Sequence, residues 1–125
     1  MAATGAGEAL WRRTDLRPSD VDVAELYDGF SVLALAWLEA LGFCDVGDGG
    51  PFVEGAKAIS LDGPLPLNTQ GGQLSGGRLH GYGMLHEAVV QLRGDGGARQ
   101  VRGRSDVAVV AAGGGPLAGC LLLTR

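Results

Sequence analysis

The sequence predicts an α/β domain: a mixed sheet with helices on both faces and a C-terminal antiparallel hairpin. Three observations carry that prediction. Two stretches, residues 30–41 and 79–92, repeat apolar residues at three- and four-residue steps, as amphipathic helices do. Short apolar runs alternate with them, as strands do in α/β chains. Two further apolar runs, residues 106–112 and 117–124, flank the turn Gly113-Gly114-Gly115-Pro116, which predicts an antiparallel pair.

Taken in order, residues 5–14 read as a short helix, and Leu16-Arg17-Pro18-Ser19-Asp20 as the turn that ends it. Residues 21–27 read as a strand with Val21, Val23 and Leu26 at buried positions. Asp28 is placed to cap the helix at 30–41, whose stripe is Phe30, Leu33, Ala34, Trp37, Leu38 and Leu41. Gly42 supplies the left-handed stop. Residues 43–67 form a long loop without periodicity, ending in a short strand near 65–67.

The stretch NTQGGQLSGGRLHGYGMLHEAVVQLRG, residues 68–94, organises the chain. A glycine-rich loop leads into a helix whose apolar positions are Leu79, Met84, Leu85, Ala88, Val89 and Leu92, with Ser75 as the expected N-cap. Such a junction directs free backbone N–H groups and the positive end of a helix dipole at the loop. Asn68, Arg78, His80 and Tyr82 cluster there, which marks it as the candidate site. The plain alternatives are a tight turn, a packing role for His80 and an exposed Arg78. Residues 95–103 are a polar turn.

With 125 residues, the chain supports one domain with its own core. Hydrophobic content of 46% and charged content of 19% describe a soluble globular protein, expected in the cytoplasm. The 23 glycines are spread among several loops and indicate turns and close backbone approaches. A net charge of −4 without a basic run speaks against nucleic acid as a partner. No run reaches the ~20 apolar residues of a bilayer span, and the first residues do not follow a signal-peptide pattern. Cys44 and Cys120 are too few for a disulfide framework or a zinc site, and no metal site is expected.

In order and spacing, the segments VAELYDGF, LGFC, LPLNTQGGQLSGG, QLRGDGGARQV and the final glycine-rich hairpin resemble the C-terminal half of a thiolase-superfamily enzyme, of the lipid-transfer or sterol-carrier type. The resemblance runs from Ala9 onward. It implies a thiolase-like half-fold, normally five-stranded, paired with a similar N-terminal half or assembled as a homo-oligomer. It also implies that the chain is truncated at its N-terminus and lacks the first strand of its half, expected to lie centrally. Residues 21–27 and 106–112 would then pair directly or expose apolar edges.

The catalytic pattern departs from that family. Sterol-carrier types read His-Asp-Cys-Phe where this chain reads Tyr27-Asp28-Gly29-Phe30. A second cysteine of other thiolases would fall in Ala112-Gly113-Gly114-Gly115, and Gly-His-Pro is replaced by Gly77-Arg78-Leu79 with His80 beyond. These changes resemble thiolase-like aldolases that cleave steroid side-chain CoA thioesters by retro-aldol chemistry. The resemblance implies Tyr27, His80 and Tyr82 as catalytic groups, and Asn68, Gly71, Gly72, Arg78 and Gly114 as substrate contacts. Coenzyme A enters as part of an acyl-CoA substrate, with no bound cofactor, and a small OB-fold partner protein is implied. Two other readings stand beside it: a lipid-transfer-type thiolase with its nucleophilic cysteine in the other half, and a non-catalytic binding or assembly module.

Overall fold

The computed structural model describes residues 2–125. Helices α1 (Ala2–Trp11), α2 (Ser31–Ala40), α3 (Gly49–Val53), α4 (Gly72–Gly76) and α5 (Tyr82–Arg93) surround strands β1 (Val23–Leu26), β2 (Val107–Gly114) and β3 (Leu117–Thr124). The sheet order is β1-β2-β3, with β1 and β2 parallel and β2 and β3 antiparallel, so the mixed α/β class holds. One face of the sheet carries α1 and α2, and the other carries α5.

β1 and β2 pair directly, with Val23 opposite Ala108 and Leu26 opposite Ala111. Of the two outcomes expected for a half-fold without its first strand, direct pairing or exposed apolar edges, the sheet shows direct pairing. The outer edge of β1 is met instead by a parallel bridge from Leu67 to Ala24. The backbone N–H of Ala24 donates to Pro66 O at 2.9 Å, and that of Asn68 donates to Ala24 O at 2.9 Å. Where a short strand was expected near residues 65–67, the chain thus makes an isolated bridge at Leu67. The long loop before it is partly ordered as α3 and a 3₁₀ turn (Glu54–Ala56).

Alternation divides β1 between two cores. Ala24 and Leu26 face Trp37, Leu38, Leu41 and Val109, whereas Val23 faces Met84, Ala88, Ala108 and Val110. Buried on both faces, β1 has to be apolar almost throughout, and Glu25 is its exception.

The helix stops fall where the glycines were read. The N–H of Gly42 donates to Glu39 O and that of Phe43 to Leu38 O, with Gly42 at φ 75. Gly94, at φ 78, ends α5 by the same pair of bonds, to Gln91 O and from Asp95 to Val90 O. These are Schellman stops, which need a left-handed residue.

The helix starts differ from expectation. α2 begins at Ser31 after Phe30, which is 73% exposed and outside the stripe. Asp28 caps nothing in α2. Its Oδ1 accepts the N–H of Gln73 at 2.7 Å and so holds α4. Ser75 lies within α4, and α5 starts only at Tyr82 with Gly81 as its N-cap, so Leu79 sits exposed before the helix. The glycines at 76, 77 and 81 interrupt what periodicity alone reads as one continuous helix.

Candidate functional site

The candidate groups gather at the carboxyl end of the parallel β1–β2 pair. Gly81, at φ 90, lets the start of α5 rest on Ala112 at the end of β2; a Cβ there would come within 2.8 Å of the alanine methyl. On one side of this junction lies a groove of about 380 Å³ lined by His80, Tyr82, Leu85, Val110, Ala112 and Leu121. His80 is held at φ 51, a left-handed conformation that L-residues seldom adopt. Tyr82 is 74% exposed, and the first turn of α5 receives no side-chain cap. On the other side a smaller, more enclosed groove of about 190 Å³ meets Gln70, Gly72, Gln73, Glu87 and Arg99.

Tyr27 follows β1 and donates its N–H to Ala111 O at 3.0 Å. Its ring lies across Gly29: a Cβ at residue 29 would stand 2.6 Å from the phenol oxygen. The two departures from the His-Asp-Cys-Phe pattern are therefore one structural change, since this ring position requires glycine at 29. Tyr27 does not line the larger groove, although it reaches the cores on both faces of the sheet.

Asn68 is spent on the scaffold. Its Oδ1 accepts the N–H of Leu26 at 2.7 Å, and its Nδ2 donates to Leu26 O at 2.9 Å. The amide thus continues the ladder along β1 as a peptide would, helped by a left-handed φ of 50. Gly71 (φ 99) and Gly72 (φ 69) shape the following turn, and Gly72 packs directly on the Asp28 carboxylate, where no side chain fits. Arg78 is exposed between α4 and α5 and lines neither groove. Gly114 sits apart at the end of β2, against Leu33 on the α2 side.

Sequence reading missed a polar cluster behind the loop. Glu25, Thr69, Glu87, Gln91 and Arg99 form one hydrogen-bonded group, in which Glu25, Glu87 and Gln91 are buried. Arg99 grips Glu87 through Nε at 2.9 Å and Nη2 at 3.0 Å. Burial alone would raise the Glu87 carboxyl, but hydrogen bonds from Arg99, Gln91 and Thr69 outweigh it and hold the group below its usual range. Burial pushes Glu25 up to about 8, against the lowering bonds from Thr69 and with the help of Glu87 and Asp28. A signal was available in the sequence: Glu25 interrupts an apolar strand, and Glu87 and Gln91 stand four apart on the apolar side of a helix.

Neither cysteine is poised as a nucleophile. Burial raises both thiols, helped at Cys44 by Glu39, Asp48 and Asp45, and Cys120 Sγ lies 3.4 Å from Ala6 O. Among the described residues, no helix is long and apolar enough to cross a membrane.

Known proteins resemble this chain throughout. The family described as Thiolase C-terminal domain-like matches residues 1–122. A 17-hydroxy-3-oxo-4-pregnene-20-carboxyl-CoA lyase of Mycobacterium tuberculosis is 42% identical over 93% of the chain and 30% of its own length. A steroid side-chain-cleaving aldolase of Thermomonospora curvata is 39% identical over 93% of the chain and 29% of its own. The solved structure of an Ltp2-ChsH2(DUF35) aldolase superimposes with a TM-score of 0.86 at 36% identity, over 98% of this chain and 31% of that one. The chain thus spans about 30% of the length of these relatives. It belongs to the thiolase C-terminal domain-like family.

Proposed function

We propose that this chain is the C-terminal part of an enzyme that breaks a carbon–carbon bond in a β-hydroxyacyl-CoA by retro-aldol cleavage. The observation that carries this reading is the Tyr27 ring lying over Gly29, in the space that a cysteine side chain would take. The names of the lyase and aldolase relatives support the same substrate class, a hydroxylated steroid or lipid side chain joined to CoA.

In the proposed reaction a base takes the proton of the β-hydroxyl and the Cα–Cβ bond breaks. The electron pair passes to the thioester as an enolate, which is then protonated at Cα. A ketone or aldehyde leaves, with a shortened acyl-CoA. Tyr27 and His80 are the candidates for moving the hydroxyl proton. Tyr82 and the N–H groups of Gly83 and Met84, in a first turn of α5 without a side-chain cap, are the candidates for stabilising negative charge on the thioester oxygen. Gly71 and Gly72 keep the loop backbone open to the substrate. An N-terminal half completes the site and covers the apolar rim formed by Leu79, Tyr82 and Leu121. A small OB-fold protein is the proposed further partner, in keeping with the two-part name of the superimposed aldolase. Relatives called sterol carrier protein 2, such as the rabbit protein at 40% identity over 78% of the chain, favour a lipid-transfer-type thiolase as the second reading.

The test uses the chain together with its N-terminal half and a steroid β-hydroxyacyl-CoA in single-turnover mode. Tyr27→Phe is expected to slow cleavage by ~10²-fold or more, the usual scale for a proton-transfer group. Gly29→Ala, which displaces the ring, is expected to slow it comparably and to add nothing to Tyr27→Phe. Wild-type rates in Tyr27→Phe would reduce this residue to packing, and cleavage that depends on free CoA would return the protein to the thiolases.

A further inference from the structure

The polar cluster behind the loop contains more acceptors than hydrogens unless a carboxyl is protonated. Thr69 Oγ1 lies 2.8 Å from Glu25 Oε1 and 2.7 Å from Glu87 Oε1. A hydroxyl has one hydrogen, so it donates across only one of these contacts. Two bare carboxylates so close to one oxygen would leave the other contact repulsive.

Gln91 does not relieve the shortage. Its Oε1 accepts the N–H of Val101 at 3.0 Å, which fixes Nε2 as the end that points at Thr69, Glu87 and the carbonyl of Arg99. Its two hydrogens serve at most two of these three acceptors, and neither reaches Glu25, so the carboxyl–hydroxyl contacts stay as they were. The missing hydrogen belongs to one of the two glutamates. Glu87 takes a two-pronged guanidinium, the geometry of an ionised carboxylate. Glu25 meets no cation directly, and its buried Oε2 has no hydrogen-bond partner. Charge on such a group would be strongly disfavoured.

We infer that Glu25 is a carboxylic acid that donates from Oε1 to Thr69, which donates onward to Glu87, and that this relay positions the loop carrying Asn68, Gly71 and Gly72. The Thr69 N–H also donates to Glu25 Oε1, at 3.1 Å. The loop is thus tied down at three successive places: Asn68 to Leu26, Thr69 to Glu25, and Gln73 to Asp28.

The middle tie is the one with a proton to lose near neutral pH. The charged groups facing Glu25 are Glu87 from α5, Asp28 from the end of β1 and Arg99 from the turn after α5. Both carboxylates oppose its ionisation, and burial opposes it most, so the proton is held to about pH 8. Above that, two carboxylates compete for one hydroxyl and the hydroxyl part of the middle tie is lost, while the Thr69 N–H keeps its bond to the ionised Glu25. Glu25 is a positioning residue. Its role does not depend on the reaction proposed above.

The experiment is a carbon-13 titration of the glutamate carboxyl groups in the full protein, paired with the carbon-13 shift of Thr69 Cβ, which reports the bonding of its hydroxyl. One glutamate carbon is expected to titrate at about 8 rather than near the ordinary 4.5, and its resonance is expected to vanish in Glu25→Gln. The Thr69 Cβ resonance is expected to shift over the same range in the wild type and to stay level in the variant. Should Glu25→Gln not fold, the wild-type titration and the Thr69 Cβ profile decide alone. All glutamates titrating below ~5, the range of free carboxyls, would overturn the inference. So would a Thr69 Cβ resonance that does not move across the transition.

Discussion

The two faces of the sheet bury their strands by different means. On the α1–α2 face the interior is apolar, and its two indoles are each satisfied by a carbonyl: Trp37 Nε1 to Gly113 O at 2.9 Å and Trp11 Nε1 to Leu41 O at 3.0 Å. Gly7 lets α1 settle on the backbone of Ala40 without a side chain between them. On the α5 face the apolar cluster of Val23, Met84 and Ala88 stops short, and the space beyond holds Glu25, Thr69, Glu87 and Gln91. Further out, β3 is uncovered, with Leu121 52% exposed. The difference teaches where rigidity and chemistry part company. One face fixes the sheet by packing, whereas the other positions a loop through hydrogen bonds and leaves an apolar groove open.

Four substitutions break or sharpen that contrast. The largest effect belongs to the packed face. Trp37→Ala removes a side chain that is 1% exposed together with its bond to Gly113, and is expected to cost about 3–5 kcal/mol in denaturant melts. A loss well under 1 kcal/mol would show that this face is not the framework described here.

An intermediate effect belongs to the polar cluster. Thr69→Val keeps the shape and removes the hydroxyl shared by the two glutamates, at an expected cost of about 1–3 kcal/mol. Glu25 also gives that cluster a pH dependence, whose sign follows from its raised folded value. Its contribution to stability is greatest below the unfolded value of 4.5, falls as pH rises towards about 8, and is lost above it. Melts across this window are expected to show that slope in the wild type and a shallower one in Glu25→Gln. A flat wild-type profile would assign the cluster no titrating member.

The smallest effect on folding belongs to the open groove. Leu121→Lys is expected to change stability by about 0.5 kcal/mol or less, because the side chain is largely in water. It is expected to weaken association with the N-terminal half in sedimentation. If stability fell sharply while association held, the groove would be part of this domain's own core.

Much of this was determined by the sequence alone, because the forces involved act locally. The Schellman stops at Gly42 and Gly94 need only a glycine after an apolar stripe. The hairpin of β2 and β3 needs only two apolar runs and the turn between them. The apolar positions Met84, Ala88 and Leu92 declare the buried side of α5 by their spacing. The tertiary structure decided what depends on partners distant in the chain. Asp28 reads as a cap for the helix beside it, yet it bonds Gln73, 45 residues away. Asn68 reads as a substrate contact, yet its amide is taken up by Leu26, 42 residues back. Glu25 reads as an irregularity in a strand until the fold brings Thr69 to it across 44 residues. A polar side chain accepts many partners equally well in sequence, and only the topology determines which of them arrives within hydrogen-bond reach.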